Sequence, residues 1–198
     1  MFLPLLCALH VFAVNQNPMS LFLATLLPGL FLTAAGALLL WNDPRVASTA
    51  KALPRSQRAT WLFFAPGAAW FVWRVSQLNE SDLIVATTPM PLMLGFGVLA
   101  VLALIYTPDF LAVRGLCILM LLVAEPLLYA GYMVYQWQVY PYKVAVYLGI
   151  AAAIYLGASP FRLRDFFEWL FQRPGRAKWL GTALFVYGAA TATAAFTY

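Results

Sequence analysis

Apolar runs of about twenty residues, separated by short polar or proline-bearing breaks, limit this chain to very few folds. Six such runs occupy 20–41, 61–78, 83–106, 115–135, 143–158 and 179–196. A helix of roughly that length crosses a hydrocarbon core ~30 Å thick, and in lipid only a helix or a closed barrel satisfies its own backbone. The runs do not alternate polar with apolar residues, so they do not read as barrel strands. Composition agrees. Of the 198 residues 64% are apolar and 10% charged, with mean hydropathy +0.81, whereas about a quarter of a soluble domain is charged. That balance excludes an ordinary soluble enzyme, a nucleic-acid binder and a disordered tail. The expected fold is all-α: a polytopic membrane protein of six transmembrane helices.

Basic residues orient the spans. The turn at 42–60 carries Arg45, Lys51, Arg55 and Arg58, and the turn at 159–178 carries Arg162, Arg164, Arg173, Arg176 and Lys178. With Arg114 in the short turn at 107–114, ten of the twelve Lys and Arg fall on one side. The positive-inside rule makes that side cytoplasmic and puts both termini outside, in a cell (inner) membrane. Trp41, Trp61, Trp169 and Trp179 then stand at the inner boundary, and Trp70, Trp73 and Trp137 toward the outer one, where amphipathic rings prefer to lie.

The chain thus divides into three out–in–out hairpins, at 20–78, 83–135 and 143–198, within a single membrane domain. The first and third basic turns resemble each other. Pro44-Arg45 leads to Arg58-Ala59-Thr60-Trp61-Leu62, and Pro160-Phe161-Arg162 leads to Arg176-Ala177-Lys178-Trp179-Leu180. The middle turn, Pro108-Asp109-Phe110 before Arg114-Gly115-Leu116, reads as a shortened version. Residues 1–14 are apolar but lack a basic n-region and a cleavage site, so they read as a short outer or interfacial segment within 1–19. Residues 161–173 combine large apolar side chains with Arg and acids at helical spacing. They are expected to form an amphipathic helix on the inner leaflet, with Arg162, Arg164, Arg173, Arg176 and Lys178 contacting anionic lipid headgroups.

Chemistry is sparse. Glu125 lies in the middle of the fourth run, where a charge costs at least a few kcal/mol and must be protonated, paired or wetted. Pro126 follows it and frees a backbone carbonyl, and Tyr129 stands one turn on. These three form a candidate proton or cation site, or else an acid that joins two helices. Pro28-Gly29 and Pro66-Gly67 are candidate helix breaks at similar depth, a pattern shared by transporters and by plain kinked helices. Small residues recur at Gly29, Thr33 and Ala37, at Gly149, Ala153 and Gly157, and at Gly188 and Ala192, faces that permit close helix contact. Arg74 is expected to snorkel beside Trp70 and Trp73.

Cys7 and Cys117 form no CxxC pair and His10 is the single histidine, so no metal or cofactor is expected. No HExxH, GxSxG or Gly-rich phosphate loop occurs. Three functional readings follow. The first is a structural or accessory subunit of a larger membrane complex, partnered by other membrane subunits or by copies of itself. The second is a small transporter or channel using Glu125. The third is a lipid-acting enzyme using Asp43, Asp109, Asp165 and Glu168, and catalysis has the least behind it.

Overall fold

The computed structural model of the protein describes residues 19–41, 43–78, 88–107 and 109–197. Residues 1–14, with Cys7 and His10, and the acidic break at 79–82 lie outside the described residues. Of the described residues 87% are helical and none is in a strand. They form α1 (Leu21–Trp41), α2 (Pro44–Ala52), α3 (Gln57–Ser76), α4 (Met90–Tyr106), α5 (Leu111–Ala130), α6 (Tyr140–Ala158), α7 (Phe161–Phe171) and α8 (Pro174–Ala194). Tight 3₁₀ turns lie at Leu53–Arg55, Trp137–Val139 and Ala195–Thr197.

Four helical segments are long and apolar enough to cross a membrane: Leu21–Trp41, Leu111–Ala130, Trp137–Ala158 and Gly175–Thr197. α4 is apolar but only 17 residues long, and the 20-residue α3 carries Arg58 and Arg74. An integral membrane protein follows from these helices.

Local chemistry sets the helix starts. Ser20 accepts from the Leu23 amide at 3.4 Å, Asp43 from Arg45 at 2.8 Å and Ser56 from Ala59 at 3.3 Å, each satisfying an amide that the helix leaves open. Pro44 and Pro174 occupy first-turn positions, where a missing N–H costs nothing. Pro28, Pro66 and Pro126 sit inside α1, α3 and α5, which run through them unbroken. Pro28-Gly29 and Pro66-Gly67 are therefore positions within continuous helices. Thr25 and Thr33 turn their hydroxyls back onto the carbonyls of Leu21 and Gly29, at 3.0 and 2.7 Å, which satisfies both hydroxyls within α1.

The tightest packing joins the first long helix to the last. α1 and α8 run antiparallel, with Gly29 facing Ala192, Thr33 facing Gly188 and Gly36 facing Gly181 and Phe185. α3 and α5 run parallel at a fixed offset. Phe64 lies on Gly115, Gly67 faces Ile118 and Arg74 faces Glu125. α6 lies antiparallel on α5, through a cluster of Ala124, Leu127, Val139, Tyr142 and Val146 joined by Ala24 of α1, and through Cys117 with Ala153 nearer the other end. α4 packs on α3 through Phe71 and Phe96, whose rings meet edge to face at 5.1 Å.

Helices flanking the first and third basic turns are not each other's main partners, because a short helix holds them apart. α2 spans about 14 Å and α7 about 17 Å, and the two lie together across one end of the bundle, with Leu53 and Leu163 tucked beneath. These turns share a plan, a proline followed by a short helix and then a long one. The middle turn omits the short helix, and α5 starts after Phe110 in a left-handed conformation (φ 60°). Arg55 reaches over the Phe110 ring at 5.7 Å and ties the first turn to the second. Ten of the twelve cations therefore share one end of the molecule, and Arg74 and Lys143 stand toward the other.

Candidate functional site

The sparsely charged end holds the only ion pair between two long helices among the described residues. Arg74, in the last turn of α3, donates through Nη2 to Glu125 Oε1 on α5. The parallel offset of α3 and α5 brings these side chains together, because each lies seven residues, two helical turns, beyond a contact that the glycines make close. Gly115 admits the α3 backbone at Phe64, where a Cβ would stand 2.5 Å from its nitrogen. The pair faces out of the groove between the helices, with 30% of the Arg74 side chain and 56% of the Glu125 side chain uncovered by protein.

α5 begins at Leu111 and ends at Ala130, so Glu125 stands about 7 Å from its midpoint, toward the same end as Arg74. Pro126 is helical there, and the Tyr129 ring stacks on Tyr132 with centroids 6.3 Å apart. Lys143, the other cation at this end, donates to the Val134 carbonyl at 3.2 Å and closes the α5–α6 connection. Measured from that end, Pro28, Pro66 and Pro126 lie about 10, 15 and 6 Å deep, spread in depth along their helices.

Sequence reasoning missed the partnership of Arg74 with Glu125. The signal was present in the charge distribution. Once ten cations are assigned to the basic turns, only Arg74 and Lys143 remain to neutralise an acid elsewhere.

The five cations expected at anionic headgroups separate into different environments. Arg164 is taken by acids: its Nε and Nη2 donate to Asp165 at 3.1 and 2.9 Å, and Glu168 lies 3.9 Å away. These hydrogen bonds, and then the charge of Asp165, hold the Arg164 guanidinium above its ordinary value. Arg162 lies over Phe161 at 5.6 Å. Arg173 and Arg176 line an open groove of about 590 Å³ between α7 and the start of α8, walled by Phe166, Trp169, Trp179 and Leu180. Arg176 is fixed there, with Nη1 donating to the Trp169 carbonyl at 3.0 Å and its guanidinium 4.5 Å above the Trp169 ring. Lys178 is exposed on the next turn of α8.

The other acids of the basic end do not converge. Asp43 caps α2, Asp165 and Glu168 serve Arg164, and Asp109 is exposed in its turn. Among the described residues no three His, Cys, Asp or Glu side chains come together to hold a metal. Cys117 is a free, buried thiol packed against Val113, Ala153 and Leu163. Comparison with known proteins finds no matching family model, no similar curated protein and no similar solved structure.

Proposed function

We propose that this protein is a six-span membrane subunit that scaffolds or modulates a larger membrane complex, with its basic end in the cytoplasm and both termini outside. The observation that carries the reading is the pairing of Glu125 with Arg74. Of the seven acids, Glu125 is the one set well inside an apolar run, and its carboxylate is engaged by a neighbouring helix. A coupling carboxylate has to be open to the ion it exchanges, and Glu125 is already engaged by the Arg74 guanidinium of α3. An acid held this way serves helix association instead.

The same pair supports α3 as a span, since an intramembrane cation is least costly when matched by an acid. Fifteen uncharged residues separate Arg58 from Arg74, about 22 Å of helix, and the long stem of an arginine at each end lengthens the reach of that stretch. α4, about 25 Å long, with the apolar residues before it, supports the sixth crossing. Among the described residues nothing lies within 4 Å of a Cβ built at Gly95 or Gly97, which point to different sides of α4, so a further helix can approach closely there. Exposed Trp41, Trp61, Trp169 and Trp179 mark the basic boundary, and Trp73 and Trp137 the opposite one.

Extraction from the native membrane in mild detergent, with mass analysis of what stays attached, tests the proposal. A stoichiometric partner of different sequence is the expected result. A lone 22.0 kDa chain, or a small homo-oligomer of it, would overturn the reading and make Glu125-dependent cation flux the next quantity to measure.

A further inference from the structure

We propose that the groove between α7 and the start of α8 binds one anionic phospholipid, with its phosphate on Arg173 and Arg176 and an acyl chain laid along Trp169, Trp179 and Leu180. Helix geometry places the charges. At 100° per residue, Phe166, Trp169 and Leu170 share one face of α7, whereas Glu168 falls on the far side, and Arg173 joins them from the extended link that starts α8. Asp165 and Glu168 are both drawn to Arg164, and among the described residues no acid lines the groove. Its positive charge is therefore uncompensated on the side where the aromatic walls open.

Arg176 is held before any ligand arrives. One of its five N–H donors goes to the Trp169 carbonyl, and stacking on the indole fixes its plane, which leaves a fork that suits a phosphate. Ordering that side chain in advance removes part of the entropic cost of binding. The walls choose the occupant. Apart from the two arginines they are almost wholly apolar, so a free phosphate or a soluble nucleotide leaves them wet, whereas a lipid covers them. The groove lies at the basic end, beside exposed Trp169 and Trp179, at headgroup level for a chain embedded as described. This inference stands apart from the subunit reading and needs only that the chain be in a membrane.

The test titrates the full chain in detergent with dioleoyl phosphatidylglycerol and counts bound lipid by native mass spectrometry, with dioleoyl phosphatidylcholine as the neutral comparison. One phosphatidylglycerol should bind at least ten-fold more tightly than phosphatidylcholine. Arg173→Gln and Arg176→Gln should each weaken that binding about five-fold or more. Among the described residues the Arg173 side chain makes no hydrogen bond or ion pair, so Arg173→Gln should leave the fold intact and keep the test interpretable. Trp179→Ala should weaken binding with no change of charge, and glycerol phosphate should fail to displace the lipid. The control is Arg45→Gln with Lys51→Gln, which removes two charges from the same end and should alter binding less than two-fold. Equal losses in the control and the groove variants, or displacement by glycerol phosphate, would overturn the proposal.

Discussion

Glu125→Ala should lower the unfolding free energy of the detergent-solubilised protein by about 2–3 kcal/mol, a fall in Tm of about 5–10 °C. The loss arises because the Arg74 guanidinium, on a side chain only 30% uncovered by protein, is left without its acid. It falls short of the ~3–5 kcal/mol typical of fully enclosed pairs, since both side chains are partly uncovered and stand near the end of their helices. Arg74→Ala should cost a similar amount by leaving the carboxylate alone. The informative variant is the exchange Arg74→Glu with Glu125→Arg, which should recover more than half of either loss. A thermal-shift double-mutant cycle measures the coupling directly. Additive losses, with no recovery in the exchanged protein, would show that the two residues act independently.

Closing the seam between α1 and α8 with a single methyl group should have an effect of similar size. A Cβ on Gly36 would lie 2.5 Å from the Phe185 amide nitrogen, and one on Gly29 would lie 2.6 Å from that of Ala192. Both obstacles are backbone, so no rotamer change relieves them and the helices must separate. Gly36→Ala and Gly29→Ala should therefore each destabilise the protein by about 1–3 kcal/mol, the usual range for overpacking. Gly95→Ala and Gly97→Ala provide the contrast, because among the described residues nothing stands within 4 Å of either new methyl group. There the greater helix propensity of Ala should leave stability unchanged or raise it by up to about 1 kcal/mol. Thermal unfolding of the four variants in one detergent decides the matter, and a common response at all four positions would contradict the seam.

How much of this was legible in the sequence varies from feature to feature. The first span at 20–41 and the amphipathic segment at 161–173 match α1 and α7 closely, because Ser20, Trp41, Pro160 and Pro174 mark boundaries through chemistry local to them. The small-residue faces were legible, but their register was not. A stripe read at every fourth residue passes from Gly29 to Thr33 to Ala37, yet each step of four gains about 40° on a helix. The contact instead follows Gly29, Thr33 and Gly36 against Gly181, Gly188 and Ala192, and Ala37 is left exposed. The stripe at Gly149, Ala153 and Gly157 packs on α5 at ordinary distances, with Met120 3.4 Å and Cys117 3.9 Å from the added methyl positions.

Pairing between helices lay beyond sequence patterning for a physical reason. Almost every residue of a span is apolar, so periodicity does not say which flank meets which neighbour. Glu125 announced itself as costly, but its depth was misjudged because α5 starts at Leu111, four residues before the apolar run as read from the sequence. Its partner emerged only once α3 and α5 were seen to run parallel, with Gly115 drawing them together.

Cysteine accessibility tests the six-span topology most directly. In a background where Cys7 and Cys117 are replaced by Ser, single cysteines are introduced as Ser56→Cys, before α3, and Ser81→Cys, in the acidic break. An impermeant thiol reagent applied to intact cells should label position 81 and spare position 56 until the membrane is opened. Labelling of position 56 in intact cells, with position 81 protected, would contradict the account.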